Sequence, residues 1–173
     1  MRDTSEYKAS SFRKSLTFAF HGMVYAFHSE TNMRRHFWLF NTLAAVELVF
    51  RPPLTEVAVS LFVATCIFSA ELLNTAIELA VDLSVEWKHH PIAGAAKDVA
   101  AGAVSMLAFG SLFVGIWVIA MSVPLRFRLF STVHPCAAWL LIIATAAIWT
   151  VRYWPFHRVP MNHVPEKETQ DGV

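Results

Sequence analysis

A stretch of thirty-one residues, Leu54–Ser84, contains neither glycine nor proline and is apolar along most of its length, yet it carries Glu71, Glu78 and Asp82. A helix that long runs ~46 Å, more than the ~30 Å hydrocarbon core of a bilayer, so one end must stand among the headgroups. The hydrated end is the one with Glu78, Asp82 and Glu86. Composition agrees: 55% of the 173 residues are hydrophobic and 16% are charged, where a soluble domain is about a quarter charged. The chain therefore reads as a small all-α integral membrane protein. A net charge of +1 argues against a nucleic-acid partner, which requires a basic surface to displace counterions from phosphates. Cys66 and Cys136 both sit in apolar runs and offer no disulfide framework.

The rest of the chain is organised around that helix. Residues 1–11 carry Arg2, Asp3, Glu6 and Lys8, where a cleavable signal peptide would have an apolar core. Over Phe12–Ser29, Phe12, Leu16, Ala19, Met23 and Phe27 recur at spacings of three and four among Arg13, Lys14, His21 and His28. That pattern predicts an amphipathic helix on the cytoplasmic membrane surface. Spans are expected over 36–50, stopped by Arg51-Pro52-Pro53, over 54–84, and over 92–123, closed by Pro124. Residues 135–151, free of charge, read as a fourth span, and the tail from Arg152 is expected to be partly disordered. The chain then divides into a core, 1–124, and an extra span with a polar tail, 125–173. Four crossings with the amino terminus inside leave Arg51, Arg126 and Arg128 alone on the outer side, with every other Lys and Arg within. Glu47, near a span end, is expected to snorkel or to pair with a helix. Phe37, Trp38, Trp117, Trp149, Tyr153 and Trp154 read as an interfacial aromatic belt.

Ionisable groups inside a span cost several kcal/mol unless paired or hydrated, so they mark function. At 100° per residue, Glu71, Asn74, Glu78 and Asp82 lie at roughly 0°, −60°, −20° and +20°, one stripe under about 90° wide. Glu71 and Glu78 stand ~10 Å apart along the axis and can act at two ends of one extended group. The next helix opens with small residues around Lys97 and Asp98, which permit close helix approach. A lysine beside such a stripe could hold phosphate while carboxylates hold Mg²⁺. Interhelical salt bridges that fix register would use the same residues. No P-loop is present. The eight histidines include no spaced pair with a third ligand, which argues against structural zinc. Residue chemistry alone leaves open a second class, a small transporter or channel lined by the carboxylate stripe.

Three segments sharpen the reading. Glu71-Leu72-Leu73-Asn74-Thr75-Ala76-Ile77-Glu78 with Asp82, Ala96-Lys97-Asp98-Val99-Ala100-Ala101-Gly102-Ala103-Val104, and Glu30-Thr31-Asn32-Met33-Arg34-Arg35-His36 together resemble the small prokaryotic diacylglycerol kinase family, which includes the undecaprenol kinases. The blocks stand in order, at matching separations, from residue 12 to about residue 122. The resemblance implies a kinase of the bacterial cytoplasmic membrane that moves the γ-phosphoryl group of ATP to a lipid alcohol with Mg²⁺, usually as a homotrimer with shared sites. It implies Glu71 as general base, Glu30 and Glu78 as metal ligands, and Asn74, Lys97 and Asp98 along the nucleotide and phosphate path. More loosely it implies nucleotide contacts at Glu86, His90 and Arg13 or Lys14. The Asn-x-Arg-x-His block looks closer to the undecaprenol kinases. The family is usually three-spanning, so residues 135–151 and the tail have no counterpart in it.

Overall fold

The computed structural model describes residues 12–121, 128–129 and 132–155. The expectations for the extreme amino terminus, for Pro124 and Arg126, and for most of the tail lie outside the described residues. Five helices follow in order: α1 (Phe12–Ser29), α2 (Thr31–Phe50), α3 (Leu54–Ser84), α4 (Pro91–Met121) and α5 (Pro135–Tyr153), with no strand among the described residues.

One extended residue, Glu30 (φ −93, ψ 127), separates α1 from α2. Arg34 reaches back over this elbow, donating to the His28 carbonyl at 3.0 Å and to the Thr31 hydroxyl at 2.9 Å. A carbonyl that the end of α1 would otherwise leave open is thereby satisfied. The helix α2 begins earlier than the apolar run at 36–50, because its polar first turn closes on itself; Arg35 donates to Asn32 Oδ1 at 2.8 Å. It ends as expected. Arg51 turns left-handed (φ 53) with its N–H on the Glu47 carbonyl, and Pro52 and Pro53 cannot extend the ladder. Pro91, whose missing N–H costs nothing at a first helical position, opens α4 in place of Ile92.

Helices α3, α4 and α5 are each long and apolar enough to cross a membrane. With 20 residues α2 is also long enough, but Arg34, Arg35, Asn41 and Glu47 make it more polar than those three. Among the described helices, α4 folds back along α3 and packs against it alone, whereas α5 packs against α1, α2 and α3. Around the elbow the core holds Ala26, Phe27, Met33 and Phe37, capped by Phe68 and Leu72 of α3 and Ile148 and Val151 of α5. Farther along, Ala44, Val57, Ala137 and Leu141 form a second cluster; its alanines let backbones approach where lipid gives no hydrophobic drive to association.

The structure revises the aromatic reading at Phe37 and decides between the two alternatives for Glu47. Phe37 is fully buried and meets Phe27 and Trp149 edge-on or tilted, so it and Trp149 belong to a seam between α2 and α5. Trp38, Trp117, Tyr153 and Trp154 remain substantially exposed, and so does the outer face of Trp149. Glu47 does not snorkel: it is 3% exposed and accepts from the Ser60 hydroxyl of α3 at 2.5 Å, which is the helix-pairing alternative.

Candidate active site

The register of α2 against α3 builds the site. Glu47 faces Ser60, Phe40 faces Phe68, and His36 faces Glu71, so every step back along α2 is a step forward along α3. The last pair of this antiparallel register, His36 with Glu71, leaves Glu30 at the elbow under two turns before it and Glu78 about two turns beyond it on α3. The stripe itself points inward. Glu71 and Asn74 are buried, Glu78 and Asp82 are half-buried, and the flanking Leu73, Ala76 and Ile77 are exposed.

Each stripe residue has a distinct setting. Glu71 is 2% exposed, and its Oε1 lies 3.1 Å from His36 Nε2 without an aligned hydrogen bond. Thr75 donates to the Glu71 backbone carbonyl rather than to the carboxylate. Asn74 Nδ2 donates to Glu78 Oε1 at 2.7 Å, and Asn74 Oδ1 is buried without a partner. At the far end Lys97 of α4 donates to Asp82 at 2.5 Å, half-exposed, and so pins α4 to α3. This is the interhelical salt bridge the sequence allowed, formed by the residue also proposed for phosphate.

The remaining candidates lie outside this constellation. Glu86 and Trp87 turn left-handed (φ 51 and 62) in the link after α3, where Lys88 pairs with Glu86 at 2.8 Å. The hydrogen bond and charge of Lys88 hold the Glu86 carboxyl below its ordinary range, while Glu86 raises the Lys88 ammonium in turn. His90 is exposed, and its carbonyl accepts from Gly94 as α4 begins. Asp98 is exposed, about 100° around α4 from Lys97. Arg13 stands exposed ~25 Å along α1 from the elbow, so one copy of the chain does not bring it to the stripe.

An apolar groove of about 510 Å³ runs over α3 between α2 and α4. His36 lies at one end and Ser60 toward the other; the walls between are mostly Leu, Val, Ile and Phe, with Ser105 and Ser111 on the α4 side. Such a volume and lining suit a hydrocarbon chain. The end at His36 abuts the buried carboxylate of Glu71. His36 is the residue that sequence reasoning left without a role: its place within the Glu30–His36 block marked it, but only the pairing of α2 with α3 puts it on Glu71. Among the described residues no group of three or more His, Cys, Asp or Glu side chains is close enough to hold a metal ion by itself.

A model of the prokaryotic diacylglycerol kinase family matches residues 17–119, the region from α1 almost to the end of α4. All the candidate residues except Arg13 and Lys14 lie within it, and α5 lies beyond it. A diacylglycerol kinase of Synechocystis sp. is 38% identical over 103 residues, 58% of this chain and 58% of its own length. An undecaprenol kinase of Bacillus subtilis is 61% identical over 49 residues, 28% of this chain and 39% of its own length. The alignments thus span under two thirds of either relative. No solved structure gives a significant match.

Proposed function

Because the chain belongs to the prokaryotic diacylglycerol kinase family, we propose that it transfers the γ-phosphoryl group of ATP to the hydroxyl of a membrane lipid. The observation that carries this reading is the placement of Glu71. Its buried carboxylate lies directly behind His36, which lines one end of an apolar groove, and a lipid chain in the groove would bring its terminal alcohol to that end.

Glu71 then takes the hydroxyl proton as the lipid oxygen attacks the γ-phosphorus, and ADP leaves with the electron pair of the broken P–O bond. A general base contributes about 10²–10⁴-fold. Glu30 of the elbow and Glu78 of α3 would hold Mg²⁺; two carboxylates completed by phosphate oxygens are a donor set this ion accepts. When bound, the ion neutralises the charge that builds on the phosphate oxygens. Asn74 orients the Glu78 carboxylate through its amide N–H. Its Oδ1 is buried and unpartnered, a polar atom that a reactant would meet only if the site opens around it. Lys97 would exchange Asp82 for phosphate, and Glu86, His90, Asp98 and Arg13 are the further nucleotide contacts, Arg13 from a neighbouring copy. A homotrimer would supply that neighbour.

We place the amino terminus in the cytoplasm with α2 through α5 crossing the membrane. The arginines of α2 are its fourth and fifth residues, close enough to its start for headgroup depth, and Glu47 is shielded by α3. As substrate we favour undecaprenol over diacylglycerol, on the Asn-x-Arg-x-His block and on the high identity to the B. subtilis relative. Purified protein in lipid with radiolabelled ATP tests the reading: label should enter the lipid fraction when undecaprenol is supplied, and more slowly with diacylglycerol. The reverse order would change the substrate, and no labelled lipid from any alcohol would remove the kinase reading.

A further inference from the structure

Resting on this phosphotransfer reading, we propose that His36 is the positioning residue of Glu71: the imidazole at the mouth of the groove holds the buried carboxylate toward the incoming hydroxyl. The two side chains come from different helices, and Nε2 lies 3.1 Å from Oε1. The polar neighbours of Glu71 on its own helix are engaged elsewhere, Thr75 with the backbone carbonyl and Asn74 with Glu78. Left alone, a carboxylate at the end of an apolar groove can swing about its side-chain torsions, and a misplacement of about 1 Å costs on the order of 10²-fold in rate. A ring fixed from α2 removes that freedom.

His36 is itself well anchored. The next residue, Phe37, is fully buried among Phe27 and Trp149, and one turn on Asn41 accepts the indole N–H of Trp149. The ring therefore cannot drift along the groove without disturbing the seam between α2 and α5. Its 3.1 Å contact is at ion-pair distance without hydrogen-bond alignment. A small ring rotation aligns Nε2–H with Oε1, as catalytic contacts often tighten once substrate is bound. His36 also lines the groove, so a lipid hydroxyl must pass it to reach Glu71.

Two substitutions of opposite chemistry test this. His36→Leu keeps bulk and removes the donor, and should lower kcat ~10–100-fold with KM for ATP little changed. His36→Gln places an amide N–H near the position of Nε2 and should recover most of that loss. A second readout needs no turnover. The infrared band of the Glu71 carboxyl, assigned by its disappearance in Glu71→Gln, should shift in His36→Leu and return in His36→Gln. If His36→Leu fails to insert, His36→Asn, too short to reach, takes its place with the same expectations. An unmoved band, or equal loss of kcat in the leucine and glutamine variants, overturns the assignment. If the parent phosphorylates no lipid alcohol the kinase reading fails by itself, and the band still decides whether His36 holds Glu71.

Discussion

Asn74 donates its amide N–H to Glu78 across 2.7 Å, one helical turn along α3, and its own carbonyl oxygen stays buried without a partner. Truncating Asn74 therefore has two opposed effects on stability. A hydrogen bond to a charged group is lost, worth about 1.5–3 kcal/mol, and an unsatisfied acceptor costing about 1–3 kcal/mol is removed. Asn74→Ala should leave thermal stability nearly unchanged. It should nonetheless cut phosphoryl transfer at least ~10-fold, because the Glu78 carboxylate is no longer oriented. A melting curve beside a rate assay checks both halves; large destabilisation with normal turnover would reverse the assignment.

Glu71→Gln is close to isosteric and keeps the packing of a residue only 2% exposed. Lipid phosphorylation should fall about 10²–10⁴-fold, with ATP affinity and assembly near those of the parent. Near-normal turnover would remove Glu71 from the role of base.

Alanine at Glu30 or at Glu78 should shift the Mg²⁺ dependence of the reaction steeply upward, since each supplies one of two protein carboxylates and the phosphates cannot replace both. Titrating activity with Mg²⁺ at fixed ATP gives the answer. Parent-like midpoints in both variants would place the ion elsewhere.

The fifth helix lies against α1, α2 and α3 and lines none of the groove. Ending the chain after Pro124 should preserve measurable lipid phosphorylation while lowering thermal stability, because Phe37, Ala44 and Val57 lose their α5 neighbours. A milder form is Trp149→Phe, which deletes the 2.6 Å bond to Asn41. Interhelical hydrogen bonds in membranes are worth about 0.6–2 kcal/mol, so a melting shift of a few degrees is the expected result, with a loss of kcat smaller than that of His36→Leu because Phe37 stays buried in the seam.

Glu86 and Lys88 offer a pH signature. Lys88 depresses the Glu86 pKa from its ordinary 4.5, so whatever this pair adds to folding is present above that value and fades as pH falls through the lower, folded one. Both groups are fully exposed, and the contribution should be small. In Lys88→Ala the Glu86 carboxyl should titrate upward toward 4.5 in an NMR pH series. A titration unchanged by the substitution would show that the pair does not form.

Much of this architecture was legible in the linear order of residues. The acidic stripe of α3 was readable because helical periodicity alone determines which side chains share a face, and the inward burial of Glu71 and Asn74 agrees with it. The Arg51-Pro52-Pro53 stop and the limits of α3 followed from backbone chemistry that needs no partner. The membrane-spanning character of α3, α4 and α5 followed from length and apolarity.

What the sequence left open was every relation between helices. Lys97 could serve phosphate or a salt bridge, and packing of α4 on α3 puts it on Asp82. Phe37 looked like an interfacial aromatic until α5 closed over it with Trp149. His36 had no assignable task, because its partner lies thirty-five residues away and only the antiparallel register of α2 on α3 brings the two within 3.1 Å. Periodicity specifies the faces of a single helix. Which faces meet, and at what offset, depends on the shapes of side chains from segments far apart in the chain, so that part was decided by the tertiary structure alone.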